Sequence, residues 1–160
     1  MDKDGLDQAL AAAREAGDRQ NIARLLFEQG MALHDSGNDR AAMKRLEEAS
    51  DLADQVGDEA LGLRARIALA HLLRQQGDTE RARKLYQEAL RDLREADFTA
   101  GERDNLLGQT FLGLGRVFES EGQQEAAHAA WQRSLGFFQR GGHNEWAELI
   151  RHLLSGAPEP

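Results

Sequence analysis

Apolar and small residues recur along this chain at steps of four and three, the spacing that returns to one face of an α-helix. Ala42, Leu46 and Ala49 stand in that relation, as do Ala82, Tyr86 and Ala89, and then Ala127, Trp131 and Ser134. Near the end, Trp146, Leu149, Ile150, Leu153 and Leu154 form an i, i+3, i+4, i+7, i+8 stripe, with Glu145, Glu148, Arg151 and His152 on the other faces. Short polar turns separate the periodic stretches: Asp35-Ser36-Gly37-Asn38, Gln76-Gly77-Asp78-Thr79 and Glu121-Gly122-Gln123. In each, glycine can end one helix and a polar side chain can cap the next. The pattern predicts an all-α chain without strands, with eight helices at about 5–16, 18–36, 38–56, 58–76, 78–95, 101–121, 123–140 and 144–154.

The turns and stripes are parts of one repeating unit. Gly30, Gly37, Ala42, Leu46 and Ala49 are separated by 7, 5, 4 and 3 residues. The same four intervals relate Ala70, Gly77, Ala82, Tyr86 and Ala89, and again Gly115, Gly122, Ala127, Trp131 and Ser134. Gly30, Ala70 and Gly115 fall inside predicted helices, where glycine costs about 1 kcal/mol relative to alanine. A small residue there predicts close approach of the following helix, whose Leu, Tyr or Trp is the knob received. On this basis Gly115→Leu should overpack the third pair, whereas Gly115→Ala is expected to be nearly neutral.

This unit resembles the tetratricopeptide repeat (TPR) family, whose pattern reads W-x2-L-G-x2-Y and then A-x3-F. The nearest copy is Phe111-x2-Leu114-Gly115-x2-Phe118 followed by Ala127-x3-Trp131. The others read Leu26-x2-Gln29-Gly30-x2-Leu33 with Ala42-x3-Leu46, and Arg66-x2-Leu69-Ala70-x2-Leu73 with Ala82-x3-Tyr86. The family's late proline is absent, and the period is 40 and then 45 residues rather than about 34. The added length lies where the second helix of one repeat meets the first helix of the next, so those helices are lengthened by about a turn. The resemblance implies a right-handed superhelix of antiparallel helix pairs, an α-solenoid.

One domain is expected over 1–154. It comprises an unpaired N-terminal helix (5–16), repeats at 18–56, 58–95 and 101–140, and a capping helix (144–154) before a disordered tail (155–160). Ile150 stands where the small residue belongs; no second helix follows that would need to approach closely, and the apolar stripe of the cap is expected to cover the third pair. A loop is expected at Ala96-Asp97-Phe98-Thr99-Ala100-Gly101, where Thr99 and Glu102 have capping-box spacing.

Composition narrows the function. With no cysteine, disulfides, thiolate chemistry and Cys-based zinc sites are excluded. No apolar run approaches the ~20 residues of a membrane span, and Met1-Asp2-Lys3-Asp4 lacks a secretory pattern, so a cytoplasmic location is expected. The formal charge of −8 opposes nucleic-acid and anionic-membrane partners. It is uneven: residues 1–57 carry 7 basic and 12 acidic side chains, and residues 58–97 carry 8 of each. His34, His71, His128, His143 and His152 lie on different segments, and Glu148 with His152 has no evident third metal ligand. Gly113-Leu114-Gly115-Arg116 sits inside a predicted helix with no strand before it, so helix packing explains it better than a nucleotide loop. No catalytic residue, metal site or cofactor is expected.

Binding is what the resemblance implies, along the face lined by first helices. In this chain those positions are Arg24, Phe27, Met31 and His34, then Arg64, Ile67, His71 and Arg74, then Gln109, Leu112, Arg116 and Glu119. Arginines beside apolar residues suit a partner peptide with acidic side chains and apolar anchors, and the site is expected to centre on Arg64, His71, Arg74 and Arg116. The Lys/Asn clamp of chaperone-binding members is not matched, since Phe27, Met31 and His71 occupy such positions. The expected function is a non-catalytic protein–protein scaffold or adaptor holding a peptide segment in that groove. Two alternatives stay open: a sensor domain for a signalling peptide or small effector, and a structural protein that self-assembles through its terminal helices.

Overall fold

Glycine turns divide the chain into helices where the sequence pattern places them. The computed structural model describes residues 3–95 and 98–156. The helices are α1 (Lys3–Ala16), α2 (Arg19–Asp35), α3 (Asp39–Val56), α4 (Glu59–Gln75), α5 (Thr79–Glu95), α6 (Ala100–Ser120), α7 (Gln124–Arg140) and α8 (Asn144–Ser155). Among the described residues there is no strand, and each helix boundary lies within two residues of expectation. Gly37 shows how the turns work. Its φ of +78° lets its N–H reach the His34 carbonyl and the Asn38 N–H reach the Leu33 carbonyl, both at 2.8 Å. A residue bearing a Cβ is strained in that conformation.

Side chains cap the next helix where the turn supplies aspartate or threonine. Asp18 accepts from the Asn21 N–H and Asp58 from the Leu61 N–H, each at 3.0 Å. Thr99 caps α6 as its spacing predicts and donates its hydroxyl to the Glu102 carboxylate at 2.8 Å. Asp18→Ala should therefore lower stability by about 1 kcal/mol, measured by urea denaturation; a change below about 0.3 kcal/mol would mean water serves the Asn21 N–H as well.

The chain forms two compact units, Met1–Leu73 and Arg74–Pro160, whose boundary lies inside α4. In the first, Arg19 at the start of α2 hydrogen-bonds Gln55 at the end of α3, so the two helices run antiparallel along their length. Gly30 lies against Leu46: a Cβ built there would be 2.9 Å from Leu46 Cγ and 3.4 Å from the Ala42 carbonyl oxygen. The expected close approach is thus present. Leu6, Leu10 and Ala13 of α1 join Leu25, Leu26, Ala49 and Ala65 in one core cluster. Arg66, which stands where the repeat pattern has an aromatic residue, reaches both carboxylate oxygens of Asp54 at 3.0 and 2.9 Å. That ion pair fastens α4 to α3 and takes the place of an apolar contact.

In the second unit α6 (Ala100–Ser120) lies between α5 and α7, and its glycines at 108, 113 and 115 are contact points. Tyr86 occupies the space of a side chain at Gly113, Trp131 that at Gly115, and Phe138 that at Gly108. The Gly113-Leu114-Gly115 sequence is therefore helix packing, as expected. The expected tolerance of Gly115→Ala is not supported, because a Cβ alone would overlap the Trp131 indole. Ser134 donates to the Gly108 carbonyl at 2.6 Å, and Arg140 at the end of α7 reaches Asp104 near the start of α6 at 3.3 Å.

Helix α8 closes on α7 through Ala147 and Ile150, the latter fully buried with Ala127, Trp131 and Phe138. The larger residue fills space that a glycine would leave against α7. Trp146 stacks on Phe138 with centroids 5.7 Å apart. Ser155 belongs to α8 rather than to the expected tail, and 157–160 lie outside the described residues. Of the expected loop, Ala96 and Asp97 also lie outside them, Phe98 is buried, and Ala100 and Gly101 already belong to α6. No helix of the described residues is long and apolar enough to cross a membrane.

Candidate functional site

Helix α3 (Asp39–Val56) runs back alongside α2, so the chain re-enters α4 (Glu59–Gln75) at the end where α2 began. This return brings Arg24 and Arg64, 40 residues apart in sequence, to one open cleft of about 470 Å³. The cap residues Asp18 and Asp58 and the side chain of Asn21 complete its polar wall. Arg24 is half-exposed and already engaged: it donates to the Asn21 side chain at 2.7 Å and pairs with Glu28 one turn on. Arg64 is exposed and makes contacts of its own.

The other expected residues of α2 and α4 divide between surface and core. His34 and the Asp39 carboxylate are 2.8 Å apart through Nδ1, and the His71 ring meets the His34 ring edge-on at 6.2 Å. Met31 is half-buried, and Phe27 packs partly into the α1–α2 core. Ile67 is 4% exposed and offers no anchor to a partner. The reason is that α4 buries residues all round its circumference, from Leu61 to Leu73, so no single face of it can be assigned to solvent from periodicity.

In the second unit the expected residues are mostly committed to their own neighbours. Arg74 is half-buried and hydrogen-bonds Tyr86. Burial pushes the Tyr86 hydroxyl up to about 12, against the opposing pull of the Arg74 charge and hydrogen bond. Arg116 pairs with Glu119 at 3.2 Å, Gln109 donates to Asn105 at 3.1 Å, and Leu112 packs against the α7–α8 cluster. The four arginines of the expected groove therefore have internal contacts, which the spacing alone could not reveal.

Two surface features had not been singled out. On α6 and α7, Phe111 and Phe137 stack at 5.6 Å, with the Arg133 guanidinium over Phe111 at 5.5 Å and that of Arg140 over Phe137 at 4.5 Å. No sequence signal marks this stack, because its members come from two helices. On α5 (Thr79–Glu95), Lys84, Arg91 and Arg94 line an open cleft, and their i, i+7, i+10 spacing was visible in the sequence.

Compared with known proteins, residues 65–100 match the tetratricopeptide repeat family. The match takes in the second half of α4 and all of α5, and it bears out the resemblance carried by the Ala70, Gly77, Ala82 and Tyr86 series. A search of curated proteins finds no match.

Proposed function

For a chain that carries a tetratricopeptide repeat, we propose the role of a scaffold or adaptor that holds a peptide segment of a partner protein at the α2–α4 cleft. Such repeats generally mediate protein–protein interaction and are typically non-catalytic. The observation that carries the finer reading is the convergence of Arg24 and Arg64 on one open cleft. Arginine forks donate to carboxylates in bidentate fashion. An incoming acidic side chain would exchange with Glu28 at Arg24, an exposed pair whose loss costs little. Asp18 and Asp58 beside the arginines restrict the carboxylate to the arginine side of the cleft.

The discriminating variant is Arg24→Ala with Arg64→Ala. A double substitution at Arg74 and Arg116 serves poorly, because removing Arg74 also strips a half-buried hydrogen bond from Tyr86. Binding of a labelled acidic peptide by isothermal titration should weaken about fivefold to tenfold in the Arg24/Arg64 variant, as expected for a few exposed ion pairs, with an unchanged melt. Undiminished binding with intact folding would reject the cleft as the peptide site.

A further inference from the structure

An open cleft of about 480 Å³ lies on α5 between Lys84, Leu90, Arg91 and Arg94. The three cations are exposed and Leu90 is half-buried. Among the described residues none of the three meets a carboxylate. Other arginines of the second unit differ: Arg81 pairs with Asp78 at 3.6 Å, Arg83 with Glu121, Arg116 with Glu119 at 3.2 Å and Arg140 with Asp104 at 3.3 Å. Helix α3 supplies an internal comparison, since it stands 40 residues earlier at the same place in the repeat. Its counterparts of Lys84, Gln87, Arg91 and Arg94 are Lys44, Glu47, Asp51 and Asp54, and Asp54 is held by Arg66 at 2.9 Å. A cationic face is thus not a requirement of the fold at this position. It belongs to α5.

We propose that this face of α5 is a second docking surface, separate from the α2–α4 cleft, for an acidic segment of another polypeptide. Lys84 and Arg91 are seven residues apart, which places them about 10 Å apart along the helix axis. Glu88 lies between them in the same cleft and repels a carboxylate at the centre, so the partner's acidic groups go to the two ends. The partner therefore presents two carboxylates about 10 Å apart, with an apolar side chain between them resting on Leu90. A protein partner fits better than a nucleic acid. Tight phosphate binding draws on about 6–10 cationic contacts, whereas here Glu80, Glu88 and Asp92 interrupt three cations. The formal charge of −8 also repels a polyanion outside this local patch.

The test uses fluorescence anisotropy with three probes: a stapled helical peptide bearing glutamates seven residues apart around a central leucine, which sets them about 10 Å apart, the same peptide with lysine for glutamate, and a duplex oligonucleotide. The acidic peptide should bind the wild type and weaken about fivefold to tenfold in R91Q/R94Q, as for two exposed pairs. It should weaken further when salt is raised from about 50 to about 300 mM, as the screening length shortens. R91K/R94K keeps the charge and should retain binding, which separates loss of charge from loss of fold. R91Q/R94Q should weaken binding by the same factor in a background that already carries R24A/R64A, so failure of the α2–α4 reading and failure of this one give different results. Equal affinity of the acidic peptide for wild type and R91Q/R94Q overturns the proposal. So does tighter binding of the oligonucleotide, which would make this a phosphate surface. A dimer mass that is lost in R91Q/R94Q would likewise overturn it and assign the face to a second copy of the chain.

Discussion

Phe138→Ala is expected to lower the stability of the protein by about 3–5 kcal/mol, the usual cost of removing a buried aromatic ring from a packed core. Phe138 is wholly buried, and three neighbours depend on it. Its ring fills the space over Gly108, where a Cβ would come within 2.8 Å of Phe138 Cε1. It stacks on Trp146 at 5.7 Å and meets His143 edge-on at 5.9 Å. Truncation leaves a cavity under α8, and Gly108 has no side chain with which to close it. Trp146, already 43% exposed, loses its support, so its fluorescence should shift toward that of a solvated indole. Urea denaturation gives the magnitude, and for a chain of this size each kcal/mol corresponds to about 2–4 °C in Tm. A loss below about 1 kcal/mol would mean that α7 and α8 close the gap and that Phe138 does not hold α8 in place.

The second large effect is at Gly115. Gly115→Leu should destabilise by about 1–3 kcal/mol or more, through overpacking, and Gly115→Ala should destabilise as well. The position of the first side-chain carbon is already taken by the Trp131 indole, so the better helix propensity of alanine cannot be realised without moving that ring. Gly136 on α7 is the internal control. A Cβ there meets only Arg140 Nη1, at 3.8 Å, so Gly136→Ala should be neutral or stabilise by about 0.5–1 kcal/mol. Paired thermal melts decide the matter. If the two alanine variants melt alike, Trp131 yields easily and the glycine is not a packing requirement.

Much of this architecture was legible because it is written in local chemistry. A glycine with positive φ, followed by a polar residue, is a short-range signal, and it located the ends of α2, α4 and α6 to within two residues. The repeated intervals from Gly30, Ala70 and Gly115 announced small residues opposite large ones, and the structure places Leu46 against Gly30 and Trp131 against Gly115. The surroundings of the residues expected to line a groove were legible only in part. Ile67 obeyed the spacing of a surface position yet is buried, because α4 is covered on several sides and the pattern of a helix buried all round has no preferred face. Arg74 counted as a free cation in sequence, whereas in space it serves Tyr86.

The sequence by itself thus determined which segments are helical, where they turn, and that Gly30 and Gly115 receive a neighbour, since propensity, capping and periodicity act over a few residues. Only the tertiary structure decided what each large side chain rests on, and which charges stay exposed. Gly113 became a socket for Tyr86 and Arg66 the counterion of Asp54, while Lys84, Arg91 and Arg94 kept their faces toward solvent. The physical reason is that burial and ion pairing depend on side chains distant in sequence. The pair at Asp54 and Arg66 spans 12 residues and that at Asp104 and Arg140 spans 36, so no local pattern carries them.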